Sequence, residues 1–234
     1  MSDADARLRA QAAAFAADLH DVLRRVLAGD VPPLDVRWDE RGQPSVVVAQ
    51  EPESGIPLTV DGTTILRLRM SFHCTLDRTG RFLAVRSSRV DATAEGTEEP
   101  LFRYDFDAAT DERIPAAHLN VHGHRDELVF AMMAAGARLR GRARASDVRR
   151  GRVPRVATLH FPLGGHRFRP AFEDVLEMLV REFGLDTRDG WREALDEGRR
   201  RWREVQLRAA VRDDPGSAAA VLGDLGWSVA APAA

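Results

Sequence analysis

From residue 4 to residue 28 the apolar positions Leu8, Phe15, Leu19, Val22, Leu23 and Val26 share one face at helical spacing. This predicts an amphipathic N-terminal helix with Gly29 as its stop. After Val31-Pro32-Pro33 the pattern turns from helical to alternating. Short extended pieces at Leu34 to Trp38 and Ser45 to Ala49 flank Asp39-Glu40-Arg41-Gly42, a loop or hairpin connection. The clearest strand runs from Thr64 to Leu76, where Leu66, Leu68, Met70, Phe72, Cys74 and Leu76 alternate with Arg67, Arg69, Ser71, His73 and Thr75. Asp77-Arg78-Thr79-Gly80 turns it into a strand from Arg81 to Val90, whose buried face the pattern leaves open between Phe82 and Ala84 and Leu83 and Val85. Ala92 to Pro100, with Glu95, Glu98 and Glu99, reads as an exposed acidic loop. Leu101 to Phe106 and Ala117 to His124 read as two further strands.

The second half returns to helical periods. Leu128, Val129, Met132 and Met133 suggest a helix from Asp126 to about Gly136, followed from Arg138 to Arg155 by a basic linker with eight arginines against the single acid Asp147. Val156 to Phe161 is extended. Phe172, Val175, Leu176, Leu179, Val180 and Phe183 form one stripe that stops at Gly184, a longer helix runs from Asp189 to about Arg212, and a last one from Asp214-Pro215 to Gly226. Trp191 and Trp202 fit core or helix-helix contacts. Strands that precede helices predict an α+β domain: an N-terminal helix, a mainly antiparallel sheet of about six strands, and C-terminal helices packed on it. The organisation expected is one domain over 1–234, with the helix at 1–29, the sheet at 30–124, the basic linker at 138–155 and a strand with the helical part at 156–234.

Composition narrows the function classes. The chain has 234 residues, 44% apolar and 30% charged, enough for one real core and too hydrophobic for a disordered protein. A net charge of -2 gives no global reason for nucleic acid or an anionic membrane as partner. All 34 basic residues are arginine, a bias in keeping with GC-rich coding, so arginine abundance is not itself a sign of phosphate binding. One cysteine, Cys74, excludes an intramolecular disulfide and any cysteine-based zinc cluster, and it reads as a small buried hydrophobe. An acidic start at Met1-Ser2-Asp3, and no run of about 18 apolar residues, point to the cytoplasm.

Candidate chemistry concentrates on one strand. Alternation aims His118, Asn120, His122 and His124 at one sheet face, adjacent members roughly 7 Å apart, close enough for two to converge on an ion or phosphate. A metal site would need a third ligand such as His73, His160 or a carboxylate. Without metal, His118, His122 and His124 with Arg103 could run general acid/base cleavage of a phosphodiester, Asp105 and Tyr104 being neighbours on the preceding strand. The plain alternative is the solvated face of an antiparallel strand. Gly164-Gly165-His166-Arg167 precedes a helix and can hold an anion at free amides, though it lacks the lysine, hydroxyl and glycine spacing of a P-loop; a tight turn explains it as well. The arginines from Arg138 to Arg152 can meet RNA, DNA or an acidic partner, or form a solvated linker.

Ile114-Pro115-Ala116-Ala117-His118-Leu119-Asn120-Val121-His122-Gly123-His124 and Leu159-His160-Phe161-Pro162-Leu163-Gly164-Gly165 resemble a family of uncharacterised bacterial proteins with no assigned activity. The resemblance implies no substrate, cofactor or catalytic residue. The His- and Arg-bearing strand after a Tyr-Asp segment is also similar to small RNase toxins. Two functions follow: a non-enzymatic binding or accessory protein, with a wet histidine face and an exposed apolar patch for a protein partner or a homo-oligomer, or a small His/Arg-dependent hydrolase or ribonuclease, metal-assisted or not, with the imidazoles converging in a concave site. Neither reading requires a cofactor, and none contacts a membrane.

Overall fold

The computed structural model describes residues 2–39, 44–109, 114–123, 146–152, 155, 161–163 and 169–230. The helix expected over 126–136, His124, His160, the start of the arginine run and the Gly164 to Arg167 turn lie outside the described residues.

Helix α1 (Asp3–Val26) begins at a capping box, in which the Ser2 hydroxyl accepts from the Asp5 amide and the Asp5 carboxylate accepts from the Ser2 amide. Its buried stripe, Leu8, Ala12, Leu19, Val22, Leu23 and Val26, covers one face of an antiparallel sheet, and Phe15 meets Phe72 edge-on with ring centroids 5.2 Å apart. The sheet comprises β1 (Asp35–Asp39), β2 (Ser45–Ala49), β3 (Ile56–Val60), β4 (Thr63–Leu76), β5 (Leu83–Ala94), β6 (Pro100–Asp107), β7 (Ala117–Val121) and β8 (Phe161–Pro162). Their spatial order is β1-β2-β4-β5-β6-β7-β8, with β3 also on β4. Helices α2 (Phe172–Phe183), α3 (Trp191–Asp213) and α4 (Pro215–Asp224) follow, and the apolar stripe of α2 joins α1 and the sheet in one core. This is the α+β architecture the periodicity predicts.

Three local features depart from the sequence expectations. The stretch from Ala92 is not yet loop: β5 continues to Ala94, and Asp91 and Thr93 are buried because Arg69 of β4 spans them, its Nε donating to Asp91 Oδ1 at 2.8 Å and its Nη2 to Thr93 Oγ1 at 2.7 Å. Strand β3 was not evident, since Pro57 has no amide to donate; it survives beside β4, joined to it by the Asp61-Gly62 turn, both residues at positive φ as a tight hairpin requires. Finally, β7 ends at Val121, short of His124.

Strands β2 and β3 lie end to end along the same flank of β4, pairing with Ser71–Cys74 and Thr63–Leu68 respectively. Between them the Met70 amide has no strand partner, and the buried Gln50 side chain accepts its hydrogen bond at 2.6 Å.

Candidate functional site

The register of β6 and β7 decides which groups meet around the histidine strand. Arg103 pairs with Asn120 and Asp105 with His118, so these four side chains share a face, whereas Tyr104 pairs with Leu119 on the opposite one. On the shared face the Asp105 carboxylate is a hub. Arg103 Nε donates to Oδ2 at 2.6 Å, Asn120 Nδ2 to Oδ2 at 3.0 Å, and Arg89 Nε to Oδ1 at 3.3 Å. His118 Nε2 lies 3.7 Å from Oδ2, and its Nδ1 is 2.8 Å from the Pro115 carbonyl oxygen. A carbonyl only accepts, so Nδ1 carries the proton there.

A solvated histidine face, expected of the binding reading, is therefore not what forms. His118 and Asn120 are buried, while Val121 on the other face is 37% exposed. The physical reason is the charge ladder. Asp91 with Arg69, and Asp105 with Arg89, Arg103 and the Asn120 amide nitrogen, pair across four strands and can be enclosed, while Asn120 Oδ1 is buried without a partner among the described residues. Arg103 and His118 are brought together, but around a carboxylate that occupies them.

His122 belongs to a different neighbourhood. Its Nδ1 donates to Glu99 Oε1 at 3.1 Å, and Arg155 Nη1 lies 3.5 Å from the same oxygen. These three side chains, with Ala94, Thr97 and Leu101, border a cavity of about 280 Å³. A carboxylate that fixes one imidazole nitrogen leaves the other for base chemistry or a ligand. Here that nitrogen, Nε2, is itself buried, with no hydrogen-bond partner among the described residues. The Thr97 hydroxyl donates to the Ala94 carbonyl at 2.8 Å. The imidazoles of His118 and His122 thus serve separate carboxylates.

Metal ligation finds no support in the described residues, among which no three His, Cys, Asp or Glu side chains gather. His73 sits on β4, three strands from β7, roughly 14 Å by strand spacing, and is 3.7 Å from Asp39. Cys74 is enclosed, and burial pushes its thiol up to about 12, which removes it as a nucleophile. A second cavity, about 460 Å³, lies between the end of α1 and the start of α3. Its guanidiniums are engaged: Arg25 by Glu197 and Asp21, Arg188 by the Leu27 and Gly29 carbonyls.

The largest functional signal lies elsewhere. Helix α3 is anchored at its start, where Ala194, Leu195 and Gly198 are buried and Arg199 pairs with Asp174, Asp196 and Glu177 of α2 and α3. It runs antiparallel to α1, from the Arg25–Glu197 pair to Arg212, whose guanidinium stands 4.2 Å from the Phe82 ring centroid. Beyond Trp202 its packing is one-sided: Gln206, Ala209 and Ala210 stay half-buried while the other side chains are exposed. Val205, Leu207 and Val211 are exposed, α4 buries no residue, and Leu225 and Trp227 are 71% and 69% exposed. The chain from Arg203 to Val229 is an arm whose apolar side chains face water. Sequence reasoning treats these helices as packed on the sheet; the available clue is Leu225-Gly226-Trp227-Ser228-Val229, apolar residues following a helix of only ten residues.

No protein-family model, curated protein or solved structure matches the chain. Among the described residues, no helix is long and apolar enough to cross a membrane.

Proposed function

We propose that the chain is a non-enzymatic interaction protein of the cytoplasm, and that its C-terminal arm docks on a protein partner. The observation that carries this reading is the run of exposed apolar side chains from Val205 to Val229, a stretch in which no residue is buried. Folded proteins scatter single apolar residues over their surface, but so many large ones within one short stretch mark an interaction site. The arm is also held in place at its base, so that it presents a defined surface. A buried free Cys74 and the lack of any disulfide accord with a reducing compartment. The test is affinity capture with the full chain and with a Leu225→Glu/Trp227→Glu variant. A protein retained by the first and lost with the second supports the reading; identical capture by both contradicts it.

A second reading keeps a specific observation of its own. The Glu99–His122 pair beside the cavity, with Arg155 at its edge, is the arrangement of a carboxylate-oriented base for phosphodiester cleavage. Its test is RNA cleavage by the full chain, with loss in His122→Ala. Against it stands the enclosure of Nε2 and the engagement of His118 and Arg103 around Asp105.

A further inference from the structure

The seam between α2 and α3 holds two glutamates of opposite situation. Glu173 and Glu177 stand one helical turn apart on α2 and so share a side of it. The Glu173 side chain is buried, with its carboxyl oxygen laid against Gly198, where α3 has no side chain to hold it off. Among the described residues this carboxyl forms no ion pair. The guanidiniums that act on it are engaged elsewhere: Arg199 by Asp174, Glu177 and Asp196, and Arg201 by Glu197 at 3.2 Å. Glu177, by contrast, accepts from both Arg199 and Arg181. One glutamate is thus sealed in without a counter-charge and its neighbour is paired twice.

We infer that this seam is a proton-sensitive joint, which seats α3 most firmly in mildly acidic solution and loosens it towards neutral pH. Seating α3 keeps water from the Glu173 carboxyl, which favours its neutral form; once α3 lifts, the carboxylate is hydrated and ionises freely. The charged and titratable groups around it are Asp174 on α2, Arg199 and Arg201 on α3, and Tyr104 of β6 beside Asp174. Burial has the largest influence on Glu173 and raises it above 4.5; its own amide opposes this, Asp174 adds to it, and Arg201 and Arg199 offset only part. Its contribution to the seam is therefore fully present below 4.5 and is lost as pH rises through the seated value. Glu177 has the opposite sign. Burial alone would raise it, but the hydrogen bonds from Arg181 and Arg199 outweigh burial and hold it below 4.5, so its contribution is lost as pH falls through that lowered value. The joint is tightest between the two.

Because α3 carries everything from Trp191 to the arm, the joint sets how firmly the arm is attached, whatever the arm docks on. Its opening needs no unfolding of the sheet, since the contacts broken are those of α3 with α2 and the Arg25–Glu197 pair with α1.

Hydrogen exchange of the full chain between about pH 5 and 8, corrected for the intrinsic pH dependence of amide exchange, tests the joint. Protection over residues 191–202 should be weaker than that of β4 throughout, and should fall several-fold across this range, no more steeply than the tenfold per pH unit that one proton allows. Glu173→Gln is neutral and close in shape to the protonated side chain, so its protection over 191–202 should stay flat. Glu177→Gln should lower protection yet keep the fall with pH, because Glu173 is still present. A flat wild-type profile overturns the inference, as does a fall that persists in Glu173→Gln. Protection over 191–202 equal to that of β4 overturns it too, since α3 would then open only with the whole fold.

Discussion

The Glu173 side chain of α2 lies directly over Gly198 of α3, so close that a Cβ at position 198 would stand 2.8 Å from Glu173 Cγ. This contact and the Arg199 ion pairs hold the base of the arm against the body. Gly198→Ala sets two effects in opposition. Helix propensity favours alanine by about 1 kcal/mol, and overpacking opposes it by about 1–3 kcal/mol. The contact makes overpacking the larger, so urea unfolding should show a net loss of stability. A gain would mean that the two helices do not approach this closely.

Glu173 also carries a pH signature. Burial, with Asp174 adding to it, raises its carboxyl above the ordinary value of 4.5. A raised carboxyl is favoured in its neutral form by the fold, so its contribution is fully present below 4.5 and is lost as pH rises through the folded value. Glu173→Gln, which stays neutral, should match wild type in Tm at pH about 4 and exceed it increasingly towards pH 8. An equal offset at both pH values would contradict the assignment.

Gln50 predicts a defect in the middle of the sheet. Its side-chain oxygen serves the Met70 amide where β2 gives way to β3. Gln50→Leu keeps the bulk and orphans that amide, which should cost about 1–3 kcal/mol. Hydrogen exchange at Met70 should quicken more than at Leu68, which pairs with Ile56.

The two histidines should separate cleanly by variant. Asp105→Ala takes the shared carboxylate from Arg103, Asn120 and the half-exposed Arg89, and should cost about 1–3 kcal/mol. His118→Ala should follow it in direction. His122→Ala, at the end of β7, should cost about 1 kcal/mol or less. Thermal unfolding of the three variants checks the order, and equal losses at His118 and His122 would place both imidazoles in one network after all.

Much of this fold is written in local patterns. The α1 stripe, the alternation of β4 and the stripe of α2 each declare the face they bury. Where the pattern falls silent, a register shift is the cause. Cys74 pairs with Val85 and His73 with Ser87, leaving Arg86 as an extra residue. Leu83 and Val85 before that bulge therefore face the core side shared by Val90 and Ala92 after it, and no single parity describes β5. The shared face of His118 and Asn120 was legible from alternation, and so were Arg103 and Asp105 as neighbours. Their enclosure was not, because it depends on Arg69 and Arg89, two and one strands away from β6. Glu99 as the partner of His122 depends on how the turn between β5 and β6 closes. The arm is the opposite case. Its helices are plain in the sequence, yet periodicity reports which residues share a side, not whether anything lies against it. Val205 to Val229 look like core until the described residues are placed and leave them uncovered.

Hydrogen exchange along the full chain reads the exposure of the arm amide by amide. Amides over residues 205–229 should exchange far faster than those of β4, and binding of a captured partner should add protection over 205–229 and none over β4 to β7. Arm amides already protected to the level of β4 in the chain alone, or protection gained on the sheet instead, would contradict the docking of a partner on the arm.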